Sequence, residues 1–293
     1  MEVRYTGFTN WVVYARGEWL QGDGTLEERE TEAETGLVLR DTDSSRFTQK
    51  YAMGANWYPR RNLNLAVQYY YKSRKNDYDH DVDSTSNLPD SGNRYPAFIR
   101  AQDFTTHDVN FRITARPLST LTLVSRYDFQ LSTIDSRMDH LKEVESGEIT
   151  THIFGESISW TPISRLFLQG NFNYVINRAE TPANDLPADV IQRSDNDYID
   201  ANFMAGYALT AKTDLQAQYF LYYSDNYSDN SAVSVPYNTS IEQHGVTATI
   251  IHRFTSAMQW TLRYGWTTYK DKLYGGKTDY ESHMLFSSFR YRF

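Results

Sequence analysis

Residues 281–293 read ESHMLFSSFRYRF. His283, Leu285, Ser287, Phe289, Tyr291 and Phe293 share one parity, while Met284, Phe286, Ser288, Arg290 and Arg292 share the other. Side chains alternate across a strand, so this stretch has one mostly apolar face and one face ending in two arginines. Alone, it fits the edge of a soluble β-protein as well as a wall between lipid and water. Recurrence of the pattern separates the two.

The pattern recurs along the whole chain. Residues 10–19 set Trp11, Val13, Ala15 and Trp19 against Tyr14, Arg16 and Glu18. Residues 46–58 carry Tyr51, Met53, Ala55 and Trp57 on one face. Residues 63–75 alternate most cleanly, with Leu63, Leu65, Val67, Tyr69 and Tyr71 against Asn64, Ala66, Gln68, Tyr70 and Lys72. Further strands are predicted over 104–116, 121–133, 148–161, 166–177, 197–209, 214–225, 241–254 and 259–270, and the last begins near 281. That makes twelve. Glu156 falls on an otherwise apolar face, which alternation does not explain.

Two regularities decide the class. The strands run about 10 to 14 residues, whereas globular strands average about 5–6 and tilted membrane strands about 9–11. Short turns, three of them with Pro59, Pro117 or Pro162, also alternate with long polar stretches over 20–45, 76–103, 134–147, 178–196, 226–240 and 271–280. These stretches read as loops; residues 36–40 extend a strand within the first but are not counted. Bacterial membrane barrels have this asymmetry of short periplasmic turns and long extracellular loops. Trp57, Trp160 and Trp260 each lie beside a short turn, as an aromatic girdle at the periplasmic interface requires.

Composition agrees. The chain has 293 residues, 40% hydrophobic and 15% aromatic, with 23 Tyr and 6 Trp. No run approaches the roughly 18 apolar residues of a membrane helix, and the mean hydropathy is -0.63. Alternation keeps a barrel's average polar. The absence of cysteine excludes disulfides, thiolate metal sites, a cysteine nucleophile and CxxCH haem attachment within this chain. A net charge of -8 argues against a nucleic-acid partner.

The expected fold is therefore an all-β, antiparallel up-and-down transmembrane β-barrel. It has about twelve strands, acidic extracellular loops and both termini in the periplasm. One domain spans 1–293. Residues 1–9 look like a strand end entering a turn, the stump of a preceding strand. Residues 1–5 have neither a basic nor an apolar leader segment, so the chain is expected to be a fragment of a longer barrel.

Chemistry is sparse. Asp77, Asp79, Asp81 and Asp83 alternate around His80, an oxygen density compatible with Ca²⁺, but the glycine and distal glutamate of an EF-hand are missing. A solvated acidic loop is the preferred reading, and Asp225 to Asn230 repeats its style. Such loops are able to share divalent ions with lipopolysaccharide phosphates. The histidines have no serine and acid at recognisable spacing, so neither enzyme activity nor a cofactor is expected. The face opposite the apolar one, read as luminal, carries Arg112, Arg116, Arg126, Arg253, Arg263, Arg290 and Arg292, with Lys72 and Arg74. Glu18, Asp108, Asp128 and Asp200 oppose them. These charges either line a conducting path or pair and brace the lumen.

The terminal Arg-Tyr-Arg-Phe resembles the closing strand of Gram-negative outer-membrane β-barrels. That resemblance implies that Phe293 helps the barrel assembly machinery recognise the chain, and that outer-membrane lipid and lipopolysaccharide surround it. Paired long strands, proline turns and acidic loops also resemble, in style, the MtrB/PioB type of barrel, which sheathes a multihaem cytochrome. The many more strands and the N-terminal CxxC region of that group are lacking here. Porin-like families fit equally well. Two functions follow: a passive, modestly anion-preferring channel for small solutes, or a sleeve around a periplasmic or lumenal partner protein.

Overall fold

The computed structural model describes residues 1–32, 36–83, 99–138, 141–181, 193–232 and 236–292. Its elements are β1 (Glu2–Tyr5), β2 (Trp11–Glu32), β3 (Gly36–Arg60), β4 (Leu63–Asp83), β5 (Ile99–Leu118), β6 (Leu121–Met138) and β7 (Leu141–Ile163). They continue with β8 (Leu166–Glu180), β9 (Arg193–Asp195), β10 (Tyr198–Thr210), β11 (Thr213–Ser224), β12 (Ile241–Arg253), β13 (Met258–Asp271) and β14 (Tyr280–Tyr291). Each strand pairs antiparallel with its neighbour in sequence, giving one sheet. The three-residue β9 pairs with the top of β8, and β10 continues along the same edge. Among the described residues the sheet is not closed, since β1 pairs with β2 alone and β14 with β13 alone.

Twelve of these strands answer the predicted ones in order; β1 and β9 bring the total to fourteen. The predicted loop over 20–45 is instead strand: β2 and β3 pair from Trp11↔Trp57 up to Glu32↔Gly36. Likewise, β6 and β7 extend through most of 134–147, and the acidic run from Asp77 to Asp83 is the end of β4. The physical reason is that strand pairing is made by the backbone. Polar residues report the surrounding medium, not where the hydrogen-bond ladder stops, and Thr25 donating to Asp43 at 2.8 Å shows polar pairs tying such an extension together.

The prolines leave a clear mark. Register shifts lie between Trp57 and Arg60, Ala115 and Leu118, and Trp160 and Ile163, flanking Pro59, Pro117 and Pro162. A residue without an N–H cannot serve the ladder, so pairing slips there and the strand turns.

The sheet has no apolar core. A globular chain of 34.1 kDa exposes about 12,800 Å² by size scaling, whereas this one exposes 19767 Å². Among the described residues the buried hydrophobic ones are only Ala52, Val175 and Ala201, while Asp108, Thr151, Thr249 and Asp271 are buried polar ones. The large side chains, including Met53, Phe111, Phe203 and Ile250, are exposed instead. A continuous apolar face of this size needs a non-aqueous neighbour.

Candidate functional site

The register sorts the side chains into two faces. Directly opposed residues in an antiparallel pair share a face. One row therefore runs Trp57, Leu65, Ile113, Ser125, Glu156 and Phe172 across β3 to β8. This is the apolar face, and it explains Glu156: Ser125 Oγ donates to Glu156 Oε2 at 2.8 Å, so the carboxylate has a partner on its own face.

The apolar face is layered. Trp57, Trp160 and Trp260 lie on it near the short turns; Trp57 stacks on Trp11 at 5.5 Å and Trp260 Nε1 donates to Ser287 Oγ at 3.0 Å. Farther along the strands a second layer repeats one motif four times. Tyr69 pairs with His107, Tyr127 with His152, Tyr219 with His244 and Tyr264 with His283, each hydroxyl 2.7–2.9 Å from Nδ1. In every case the histidine sits two residues along from the residue opposite the tyrosine. The repeat is not visible along the sequence, because it spans hairpins and is diagonal.

The opposite, polar face carries the predicted charges. Arg112 and Arg126 are direct cross-strand partners, both exposed, and Asn110 opposite Asp128 donates to its Oδ2 at 2.9 Å. Asp128 is thus held by an amide, two residues along the strand from Arg126 and on the same face. Like charges placed directly opposite destabilise a strand pair, and a second such pair, Lys50 and Lys72, joins β3 to β4 on this face. Lys50, not among the charges expected on this face from sequence, has its Nζ 3.8 Å from the centre of the Tyr70 ring. Gln130 donates to the Tyr70 hydroxyl at 2.9 Å. Arg126 reaches across β7 to Asn173 Oδ1 at 3.5 Å, and Asn173 donates to Asp200 at 3.1 Å. The reach depends on Gly155, where an added Cβ would stand 2.9 Å from Asn173 Oδ1 and 3.4 Å from Arg126 Nε.

The other arginines are not brought to this cluster. Arg253 is ion-paired with Asp214 at 2.6 Å, a partner that alternation along the sequence does not reveal. Arg263 Nε donates to Thr249 Oγ1 at 3.3 Å, on the same face near the end of the sheet. Arg116 lies at a short turn, its backbone N–H donating to Asn62, and Arg292 does likewise to Ala257. Arg290 is exposed on the last strand. Phe293 lies outside the described residues. Arg74 stacks on Phe104 at 4.0 Å.

No group of three metal-ligating side chains occurs among the described residues. Asp77 and Asp79 instead face Arg137 at 3.7 Å and Arg100 at 3.4 Å; the side chains of Asp81 and Asp83 lie outside the described residues. Beyond the sheet, Lys272 Nζ and Ser240 Oγ both donate to Asp225 Oδ1, at 2.9 and 2.8 Å. Lys272 is the first of the groups that hold the Asp225 carboxyl below its ordinary pKa. A depressed carboxylate stabilises the fold above its unfolded pKa of about 3.9 and loses that contribution as pH falls through the folded value. The clasp between 225 and 272 is expected to stay intact at neutral pH and to open only in acid below that value. A carbon-detected titration of Asp225 checks this: Lys272→Met should return its midpoint toward the ordinary aspartate range.

A single-layer, strand-after-strand antiparallel sheet with an exposed apolar face and polar groups on the other is the fold of outer-membrane β-barrel proteins. Among solved structures, the chain is similar to the copper transporter OprC, at 11% identity and a TM-score of 0.62, over 98% of this chain and 48% of that one. It therefore spans about half the length of that transporter. It is also similar to the Pseudomonas putida toluene transporter TodX (11% identity, 98% of this chain and 80% of that one, TM-score 0.38). An outer membrane channel from Pseudomonas putida F1 matches at 12% identity, over 96% and 93% of the two chains, with a TM-score of 0.34. The likeness to the copper transporter is one of fold. No protein-family model matches the sequence, and no curated protein does.

Proposed function

We propose that this chain forms the wall of a bacterial outer-membrane β-barrel that acts as a passive, porin-like channel for small solutes with a modest preference for anions. The observation that carries the reading is the inverted distribution of side chains. Apolar residues stand exposed along one face, and the opposite face holds the Arg112–Arg126 and Lys50–Lys72 pairs. In a closed barrel the first face meets lipid and the second lines the lumen. Like charges kept opposite each other fit a path for anions, where rings of Arg or Lys favour them. The tryptophan layer and the tyrosine–histidine layer then mark the two interfaces, where amphipathic rings settle. Asp77 to Asp83 would lie on the lipopolysaccharide side.

Purified protein should partition into detergent, show a β-dominated far-UV spectrum and migrate differently on a denaturing gel before and after boiling. In planar bilayers it should conduct. A chain that stays soluble without detergent and contains helix would overturn the membrane reading. A barrel that does not conduct and retains a protein in its lumen would favour the sleeve. For Phe293 we propose a role in assembly: deleting it should lower the amount in the outer membrane and leave refolding in micelles nearly unchanged. Equal outer-membrane levels with and without it would count against that role.

A further inference from the structure

Four cations stand together on the polar face of β3 and β4. Lys50 and Lys72 are direct cross-strand partners, and Arg74, opposite Thr48, lies one row farther from the short turn. Arg46, opposite Asn76, lies one row beyond that. Rows on one face are about 7 Å apart along a strand and opposed Cα atoms about 5 Å apart, so the heads of such long side chains are able to converge. Acids do not neutralise them. Glu18, opposite Lys50, is ion-paired with Arg16. Asp77 and Asp103, at odd positions, belong to the other face, where they pair with Arg137 and Lys75 at 3.7 Å. Asp108 is buried one row nearer the turn, opposite Tyr70. Among the described residues no ion pair joins Arg46, Lys50, Lys72 or Arg74 to a carboxylate. Arg46 Nε donates instead to Oδ1 of the buried Asn76 at 3.2 Å, and Asn76 donates to the Gln102 carbonyl at 3.1 Å. That chain of bonds fixes the guanidinium and leaves its two terminal nitrogens available. Arg74 stacks over Phe104, and its Nε is buried without an acceptor among the described residues. Buried donors are nearly always partnered, so this one is set for an acceptor that the wall does not supply.

Resting on the channel reading above, we infer that this cluster binds a free phosphoryl group, carried by inorganic phosphate or a small phosphorylated solute. Lys50, Lys72 and Arg74 mark the corners of a small triangle, with Arg46 beyond it. That arrangement matches a compact anion with more than one charge and with oxygens pointing in several directions. Guanidinium forks suit phosphate oxygens, and ammonium groups add point charges beside them. A single carboxylate brings one charge and two oxygens in one plane, which leaves most of the cluster unmatched. Arg112 lies opposite Ala66, six residues before Lys72, so the cluster stands about 20 Å along the strands from the Arg112–Arg126 pair. A solute arriving from the far end of β3 and β4 meets the cluster before that pair. Lipid phosphates do not reach it, because the apolar side chains are on the opposite face.

The protein folded in detergent is titrated calorimetrically with inorganic phosphate, glycerol phosphate and succinate at about pH 8, where phosphate is dianionic. The same anions are added to chloride solutions bathing the protein in planar bilayers free of lipopolysaccharide. Both phosphates should bind saturably and block the chloride current saturably, and succinate should do so much more weakly. Replacing Lys50, Lys72 and Arg74 together by glutamine should weaken phosphate binding about ten-fold or more, the loss expected for even one charge-assisted hydrogen bond. Lys75→Gln makes the same kind of charge change one residue away on the other face, and should leave binding nearly unchanged. Should the triple variant not fold, Arg74→Lys keeps the charge and loses the fork; unchanged affinity there would overturn the inference. Anion-selective conduction without saturable phosphate binding, or equal losses in the triple variant and Lys75→Gln, would overturn the inference and leave the channel standing. Succinate binding as tightly as phosphate would overturn the phosphoryl assignment. Binding that the triple variant loses, in a protein that does not conduct, would support the site and overturn the channel reading.

Discussion

In the proposed channel, replacing Arg112 and Arg126 together by glutamine is expected to move the reversal potential toward cation selectivity. The two guanidiniums are direct partners across β5 and β6, and Asp128, two residues from Arg126 on the same face, is held by Asn110. Arginine stays protonated at any working pH, so its charge cannot be titrated away. A unit charge about 7 Å from a passing ion contributes roughly 0.6 kcal/mol at the dielectric of water, close to thermal energy. Losing two should lower the anion-to-cation permeability ratio a few-fold. The shift should be larger at low salt, since the screening length grows from about 10 Å at 0.1 M to about 30 Å at 0.01 M. Stability should hold or rise slightly, because the change removes a like-charge cross-strand pair. Reversal potentials measured in a salt gradient check the effect. A conducting barrel indifferent to the double change would mean that these arginines do not face the ion path.

The second large effect concerns the other face. Ala217 and Gln218 are neighbours on β11, both exposed, and their side chains alternate to opposite faces. Ala217 pairs with Ala205 and Ala248 in the apolar row, midway between Thr213 at the short turn and Leu221 opposite His244. In a bilayer that position lies near the midplane, where an outward arginine costs about 2–4 kcal/mol. Ala217→Arg is expected to lose about that much in a reversible folding titration into lipid. Gln218→Arg, on the polar face, should lose less than about 1 kcal/mol, as a change facing water does. Equal losses, or a larger loss for Gln218→Arg, would show that the two faces are assigned the wrong way round.

Alternation made the strands legible. A side chain's parity is a local property, so Leu63 to Lys75 could be assigned faces without any neighbour, and Arg112, Arg126 and Asp128 could be placed on one surface. Strand ends were less legible. Over 20–45 and 134–147 the residues are polar, yet the ladder continues, since Thr31↔Leu37 and Asp135↔Glu145 pair by backbone regardless of side chain. The predicted loops were in part strands for that reason.

By itself, the sequence determined the all-β class, the order of twelve strands, the two faces and the positions of the proline turns, because each depends on residues near one another along the chain. Only the tertiary structure decided which groups meet. Register set Arg112 against Arg126, Lys50 against Lys72 and Asp214 within reach of Arg253, and it assembled four diagonal tyrosine–histidine pairs from histidines that look scattered along the chain. A slip of one residue would send each of these side chains to the other face, and nothing local prevents such a slip. Register is fixed by the short turns, by the slips at Pro59, Pro117 and Pro162, and by the need to keep every apolar row on one side of a sheet that has no other core.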